Sequence, residues 1–512
     1  MEQALREICG SRATTDPFEL APYAKDVAYV PAILVHFLTN PLPKAVVQPI
    51  SAEEISSLIK WAKQGKIPVT VRGGGSTAYF NCIPMKSGLV IDTNRLQGFS
   101  GIELDQGSHK KMVWVKAGMT WQDLDDGLRQ QGCAVCSSPS SAPSATIGGW
   151  VSMGGLGIGS VPYGSVHDQI MAIRAVTAAG EIVELSRPDK DRAKNQGSEE
   201  LGLQFNDLMG TEGTRGIITE IKLLVRDVPE KEEHLLAVFN NETDTGAMMS
   251  WLGGEHFTSL YNVHFSSPEF IMTLQKAGYA HEIPPRKYSL EIDLEGKRDE
   301  VDQAVAQITN HVKLQGGTLL PDEVGAEEWA DRYKSLRLEQ TLPSLLAAEM
   351  TLPVSNFAAF YERLSKLGQK TNTLCVTYAH LVSPEMALVM VLYPSDELNL
   401  IRYIVDLSFT SNLYKLGHSL GGKPYVIGFW NTPYLGKIYD KGERERRRQR
   451  KQAADPHAML NPGKGYNPPN IILNSYVFGF GMIMIGLFRP LVLKILKGGK
   501  GHWKLLKNFG SK

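Results

Sequence analysis

The chain has no excess of either charge: Lys+Arg and Asp+Glu stand at 54 each over 512 residues. No global field attracts a polyanion, which argues against nucleic acid as a partner. Cysteine is scarce. Five in a chain of this length, an odd number, argue against a disulfide framework and for a reducing compartment. Cys133 and Cys136 make one C-x-x-C with no second pair to complete a zinc site, so they read as structural or incidental thiols. The stretch from Met1 to Glu7 lacks the basic and apolar regions of a secretory signal, and a cytoplasmic catalytic body is expected. The glycine loop that follows Val71 lacks the Walker lysine and the G-x-G-x-x-G spacing, so it is neither of the two best-known phosphate loops.

Glycine, by contrast, is plentiful and clustered, as suits a protein that lays backbone against a ligand. The β-branched run Val69-Thr70-Val71 predicts a buried strand that stops at Arg72 and at Gly73, Gly74 and Gly75. Such glycines bring bare N–H groups close to an anion, Ser76 and Thr77 add hydroxyls, and Arg72 adds positive charge. The loop is built for a phosphate, most simply a diphosphate. Before it, Ser51 and Glu54 predict a capping box that opens an amphipathic helix over 52–64, ended by Gly65. Strands are expected at 89–92 and 112–118, then a helix from Thr120 to about Gln131.

A second region, 137–159, is dense in small residues, too apolar for a linker and too irregular for a helix. Backbone packed flat against a planar ligand explains that composition. Strands are expected at 170–177 and 181–185 around Ala179-Gly180. A third cluster, 210–216, runs into the strand 217–221.

These blocks together resemble the FAD-binding domain of the vanillyl-alcohol oxidase/p-cresol methylhydroxylase superfamily, and within it the D-lactate and glycolate dehydrogenase branch. The matching pieces are Pro49, Arg72 to Thr77, Pro139-Ser140, Thr146-Ile147-Gly148-Gly149, Tyr163-Gly164 and Gly213-x-x-Gly216-Ile217-Ile218-Thr219. Far downstream, Asp455-Pro456 through Leu460-Asn461-Pro462-Gly463-Lys464 is similar to the closing motif of that branch. The resemblance implies a non-covalent FAD whose diphosphate lies on Arg72–Thr77. It places Thr146, Gly148, Gly149, Gly155, Tyr163 and Gly164 along the ribityl chain and flavin ring. Ile217 and Ile218 would lie at the adenine, with Pro139, Gly213 and Asn461 also at the cofactor. His167 reads as a structural histidine.

The expected fold is α+β: a two-lobed FAD-binding domain of the p-cresol methylhydroxylase type over 1–229, and an α+β cap with an antiparallel sheet over 230–425. A segment over 426–468 returns to the flavin domain, and a tail over 469–512 follows. Resemblance to the hydroxy-acid branch makes His418 the base, Arg332 or Lys423 the anion anchor, and His380 a further site histidine or a core residue. That branch places two more metal ligands at positions that are Ala387 and Gly417 here, so no catalytic metal is expected. The function implied is FAD-dependent dehydrogenation of a small hydroxylated substrate, such as a 2-hydroxy acid, by hydride transfer to flavin N5. The alternatives are an enzyme acting on a lipid, sterol or aldonolactone, and a catalytically degenerate flavoprotein.

The basic run over 441–451 reads as the solvated face of a helix. The stretch from 471 to 496 is strongly apolar, and Lys497, Lys500, Lys504, Lys507 and Lys512 follow it. A spanning helix would carry those lysines outside, against the positive-inside rule. An element lying in the cytoplasmic leaflet, with lipid contact through 471–507, satisfies both constraints. It would bring the flavin near a quinone or another electron acceptor. Spacing does not fix the oligomeric state.

Overall fold

The computed structural model describes residues 1–105, 107–188, 203–255, 257–341, 344–465, 477, 480–482 and 484–489. Its first lobe is a four-stranded sheet of β1 (Ala13–Thr14), β2 (Ala45–Val47), β3 (Val69–Arg72) and β4 (Leu89–Asp92), in the order β1-β2-β4-β3. β2, β4 and β3 run parallel. Helix α1 (Ala52–Gln64) joins β2 to β3 and buries Ile55, Leu58, Ile59 and Ala62. Ser51 Oγ caps its start by accepting from the amide of Glu54 at 3.3 Å. The Glu54 carboxylate does not reach back to Ser51; it pairs with Arg12 at 2.6 and 2.7 Å, so the box is half formed.

The second lobe is a six-stranded sheet: β5 (Glu103–Leu104), β6 (Lys111–Lys116), β7 (Cys133–Val135), β8 (Ile170–Thr177), β9 (Ile182–Ser186) and β10 (Gly216–Asp227). The long β10 lies at its centre, antiparallel to β6, β7 and β8. Within the small-residue region a helix does form, α2 (Ile147–Met153). Thr146 caps it by accepting from Gly149, and Gly154 closes it with φ +84°, a conformation glycine adopts without a Cβ penalty. Cap chemistry at both ends outweighs poor propensity within. All five cysteines are free, Cys133 and Cys136 both buried.

The cap is an eight-stranded sheet, antiparallel throughout: β11 (Lys231–Phe239), β12 (Leu260–Ser266), β13 (Tyr288–Gly296), β14 (Thr318–Leu319), β15 (Leu345–Pro353), β16 (Val376–Ser383), β17 (Met386–Pro394) and β18 (Lys423–Pro424). Strand alternation divides its residues between two faces. Leu346, Ala348, Met350, Val389 and Val391 pack with helices α3 (Arg298–Leu314), α4 (Phe357–Thr371) and α5 (Leu400–Ser419). Each such fully buried aliphatic side chain contributes about 1.5–3 kcal/mol. Their neighbours in sequence turn to the opposite face, toward the flavin-type lobes. Arg332 lies between two helical pieces: one helix covers Asp322–Ala330, and a tighter 3₁₀ segment covers Lys334–Gln340.

After β18 the chain returns. Helix α6 (Lys441–Ala454) is not merely a solvated face, since Lys451 is buried and Arg450 reaches Asp207 at 3.1 Å. Residues 459–461 then lie along the outer edge of β3: Val69 donates to Met459 at 2.9 Å and Asn461 to Val69 at 2.8 Å. Much of the apolar tail falls outside the described residues. Residues 480–482 and 484–489 are helical, with Arg489 buried against Asp406 at 3.4 Å and Thr373 at 2.7 Å. Among the described residues no helix is long and apolar enough to cross a membrane.

Candidate active site

A cavity of about 330 Å³ lies between the two glycine-rich lobes and the open face of the cap sheet. The end of β3 feeds directly into it. Gly73, Gly74, Gly75, Ser76 and Thr77 all line it, and no described hydrogen bond occupies the amides of Gly74, Gly75 and Ser76. Close packing requires glycine in this loop: a Cβ on Gly74 would stand 1.8 Å from the carbonyl of Ser144, and one on Gly73 2.2 Å from Thr146 Oγ1. Arg72 stands behind the loop, donating to the carbonyl of Lys25 at 2.7 Å. Its charge and that of Lys464 act on the half-buried Asp26, whose carboxyl desolvation nonetheless pushes up to about 7.

Asn461 ties the loop to the end of the chain. Its side chain accepts from the Val71 amide at 3.1 Å and donates to the Glu212 carbonyl at 2.6 Å. Pro139, Thr146, Gly148, Gly149, Gly213, Ile217 and Ile218 join it on the cavity wall. This donor set, with its free amides, adjoining hydroxyls and a flat run of small residues, fits a dinucleotide with a diphosphate and a planar ring.

Four residues expected at the cofactor do not line the cavity. Arg72 lies behind its loop. Gly155 leaves room for Trp150, whose ring a Cβ would meet at 2.0 Å. Gly164 turns the chain with φ +71°, and Tyr163 packs edge-on to Tyr261 at 6.4 Å. Leu156 and Gly157, between them, do line the wall. The ring of His167 packs against Gly154 and Gly210, away from the cavity.

The cap face brings a carboxyl and a histidine to the cavity. Leu345, Ala347 and Glu349 of β15, Tyr378 and His380 of β16, and Leu388, Met390 and Leu392 of β17 all reach the cavity at the two-residue spacing of strands. Glu349 is the sequence's least visible functional candidate. Tyr79 donates to it at 3.1 Å, and burial pushes its carboxyl up to about 7. Burial pushes His380 down to about 4, leaving a neutral ring near pH 7. One nitrogen of that ring lies 3.2 Å from His264 and the other 3.4 Å from Asn262 Oδ1. Tyr425 of the segment after β18 holds the other lobe, its hydroxyl accepting from the amide of Leu156 at 2.5 Å. A lone carboxylate in the apolar run Leu345–Pro353 was the signal for Glu349, since such a group is buried only with a partner or a task.

His380 is therefore at the cavity, but the other three expected catalytic residues are not. His418 and Lys423 are exposed. His418 ends α5, which packs on the opposite face of the cap sheet, and there Gly417 abuts Met350; a Cβ would stand 2.2 Å from its sulfur. Arg332 lines a separate small cavity of about 10 Å³ that touches the large one only at Ser335 and His380. Its guanidinium donates to the Trp329 carbonyl at 3.0 Å and lies 4.6 Å above the Trp329 ring.

The glycine-lined cavity closed by an antiparallel cap defines an FAD-dependent oxidoreductase. The chain belongs to the FAD-linked oxidases: the FAD binding domain family matches residues 43–186, and the FAD linked oxidases C-terminal domain matches 229–465. It is 24% identical to D-lactate dehydrogenase of Archaeoglobus fulgidus over 82% of this chain and 90% of that one. It is 23% identical to glycolate oxidase subunit GlcD of Bacillus subtilis, covering 83% and 89% of the two chains. Among solved structures, p-cresol methylhydroxylase with substrate bound superposes with a TM-score of 0.74 at 16% identity, covering 91% of this chain and 96% of that one. The 4-ethylphenol oxidase of Gulosibacter chungangensis in its isoeugenol complex gives 0.71 at 16% identity, covering 91% and 97%. These neighbours are of the p-cresol methylhydroxylase type, the fold expected from the sequence.

Proposed function

We propose that this enzyme dehydrogenates a hydroxyl-bearing carbon of a small molecule, with Glu349 taking the hydroxyl proton. One observation carries the reading: the cap face sets the Glu349 carboxyl and the His380 ring opposite the glycine segments, across one continuous cavity. Bound FAD supplies the oxidant, accepting the hydride. The protein must hold the alcohol and receive its proton. A carboxyl poised near pH 7 suits that transfer, because correct ionisation and proton affinity are then balanced. Tyr79 holds the carboxyl in place, and the His264 contact holds His380.

The Gly73–Thr77 loop, Thr146, Gly148, Gly149 and Asn461 would hold FAD without a covalent link; His380, on the opposite wall, is the one histidine lining the cavity among the described residues. The relatives named above are a D-lactate dehydrogenase and a glycolate oxidase subunit, so 2-hydroxy acids belong among the candidate substrates beside neutral alcohols. Electrons would then pass to a quinone or another acceptor. Anaerobic addition of candidate alcohols and hydroxy acids to the purified flavoprotein tests the reading. Bleaching of the flavin absorption by any of them supports it. A flavoprotein reduced by none, across acids, alcohols and lactones, would overturn it in favour of a degenerate site.

A further inference from the structure

Resting on that reading of the cavity, we propose that the alcohol oxidised here is uncharged and largely apolar, rather than a 2-hydroxy acid anion. Among the described residues the cavity lining contains no lysine and no arginine. Its carboxyl groups are the half-buried Glu349 and the buried Glu212. A carboxylate substrate would give up its hydration to meet like charge, with no cation to replace the lost water. The face over which substrate lies is otherwise Leu345, Ala347, Leu388, Met390 and Leu392.

The cations just outside the lining are committed elsewhere: Arg72 bonds the Lys25 carbonyl and Lys464 the Asn81 carbonyl. Lys334 pairs with Glu328, and Arg332 lies over the Trp329 and Tyr333 rings, beyond Ser335. The small cavity that Arg332 and Lys334 line also contains the buried Glu291, and its 10 Å³ holds about one water molecule. Neither side chain lines the large cavity.

A second cavity points the same way. About 50 Å³ in size, it is lined by Val30, Leu346, Tyr403, Leu407 and Trp430, and it shares Tyr79, Leu345 and Ala347 with the large one. It lies beneath the segment leading into the helix Ala32–Leu38, where Ile33 and Phe37 are 63% and 64% exposed. Leu398, just before α5, and Ile401 in its first turn are 94% and 61% exposed, and Tyr403 of the same helix, which lines the side cavity, bonds to the Tyr29 carbonyl at 2.8 Å. The side cavity thus offers a hydrocarbon portion an apolar seat adjoining the reaction site, close to an apolar surface.

The test compares ligands that share a skeleton and differ in charge: mandelate with 1-phenyl-1,2-ethanediol, and 2-hydroxydecanoate with decane-1,2-diol. Dissociation constants are read on the holoenzyme, from perturbation of the flavin spectrum and by calorimetry. The expected result is that each diol binds at least tenfold tighter than its acid, and that Met390→Arg reverses the order. Tighter binding of either acid to the unaltered protein, or failure of all four to bind, would overturn the proposal. Diol binding without bleaching would support this ligand class and count against dehydrogenation. Bleaching by a tighter-bound acid would support dehydrogenation and overturn the ligand class.

Discussion

The hydroxyl of Tyr79 donates to a Glu349 carboxylate oxygen at 3.1 Å, joining the segment just after the Gly73–Thr77 loop to the cap sheet. Two residues 270 positions apart in the chain thereby meet at the reaction site. The contact lowers the proton affinity that burial has raised in Glu349. Tyr79→Phe should therefore move the acidic limb of the kcat/KM profile toward alkaline pH while FAD remains bound. An unmoved limb would exclude Glu349 as the titrating group.

Glu349→Gln keeps the shape of the side chain and removes the base. A positioned general base contributes about 10²–10⁴-fold, so kcat should fall by that order with the flavin spectrum retained. Stopped-flow measurement of flavin reduction is the direct check.

The pH dependence has a definite sign. Burial holds Glu349 protonated up to about pH 7, so kcat/KM should be low at pH 5.5, climb through neutrality and level off above pH 8. His380, pushed down to about 4, stays neutral throughout that window and adds no second limb. A rate independent of pH between 5.5 and 8 would remove Glu349 from the mechanism.

The surface histidine offers the converse test. His418→Ala and Lys423→Ala should leave kcat and KM within twofold of the parent, because both side chains lie outside the cavity. Loss of more than tenfold in either variant would mean that the cap rearranges during turnover.

Cofactor retention should depend on Asn461. Asn461→Ala removes two hydrogen bonds that hold the loop strand to the Glu212 turn. Each is worth about 0.5–1.5 kcal/mol, more if a buried partner is left unpaired. The variant should purify with less FAD and require more added FAD for half saturation, as fluorescence titration would show.

Much of the scaffold was legible because local rules decide it. The β-branched run of β3, the Ser51 cap of α1 and the strand over 170–177 all formed where their residue types require. Thr146 was read for the ligand and not for its helix, since the cap hydrogen bond competes with a glycine-rich interior that looks irregular in one dimension. The resemblance to hydroxy-acid dehydrogenases drew attention to His418, yet whether a side chain at a helix end faces the cavity depends on which face of the sheet its helix covers. Periodicity within one element does not supply that. Glu349 was within reach of the sequence: in a strand, a carboxylate between alanine and methionine is either an edge residue or a functional one. Choosing between these requires knowing the strand lies between β17 and β18.

The pairing of β3 with residues 459–461 also bears on how the protein is made. β3 is the last strand in its sheet, and its free edge stays open until the ribosome has added the roughly 390 residues that separate Val71 from Asn461. At about 5–20 residues per second that takes on the order of 20–80 s, during which a nascent chain exposes an unpaired strand edge. The glycine loop that follows β3 is thus among the first parts of the cavity wall to be synthesised and the last to be completed.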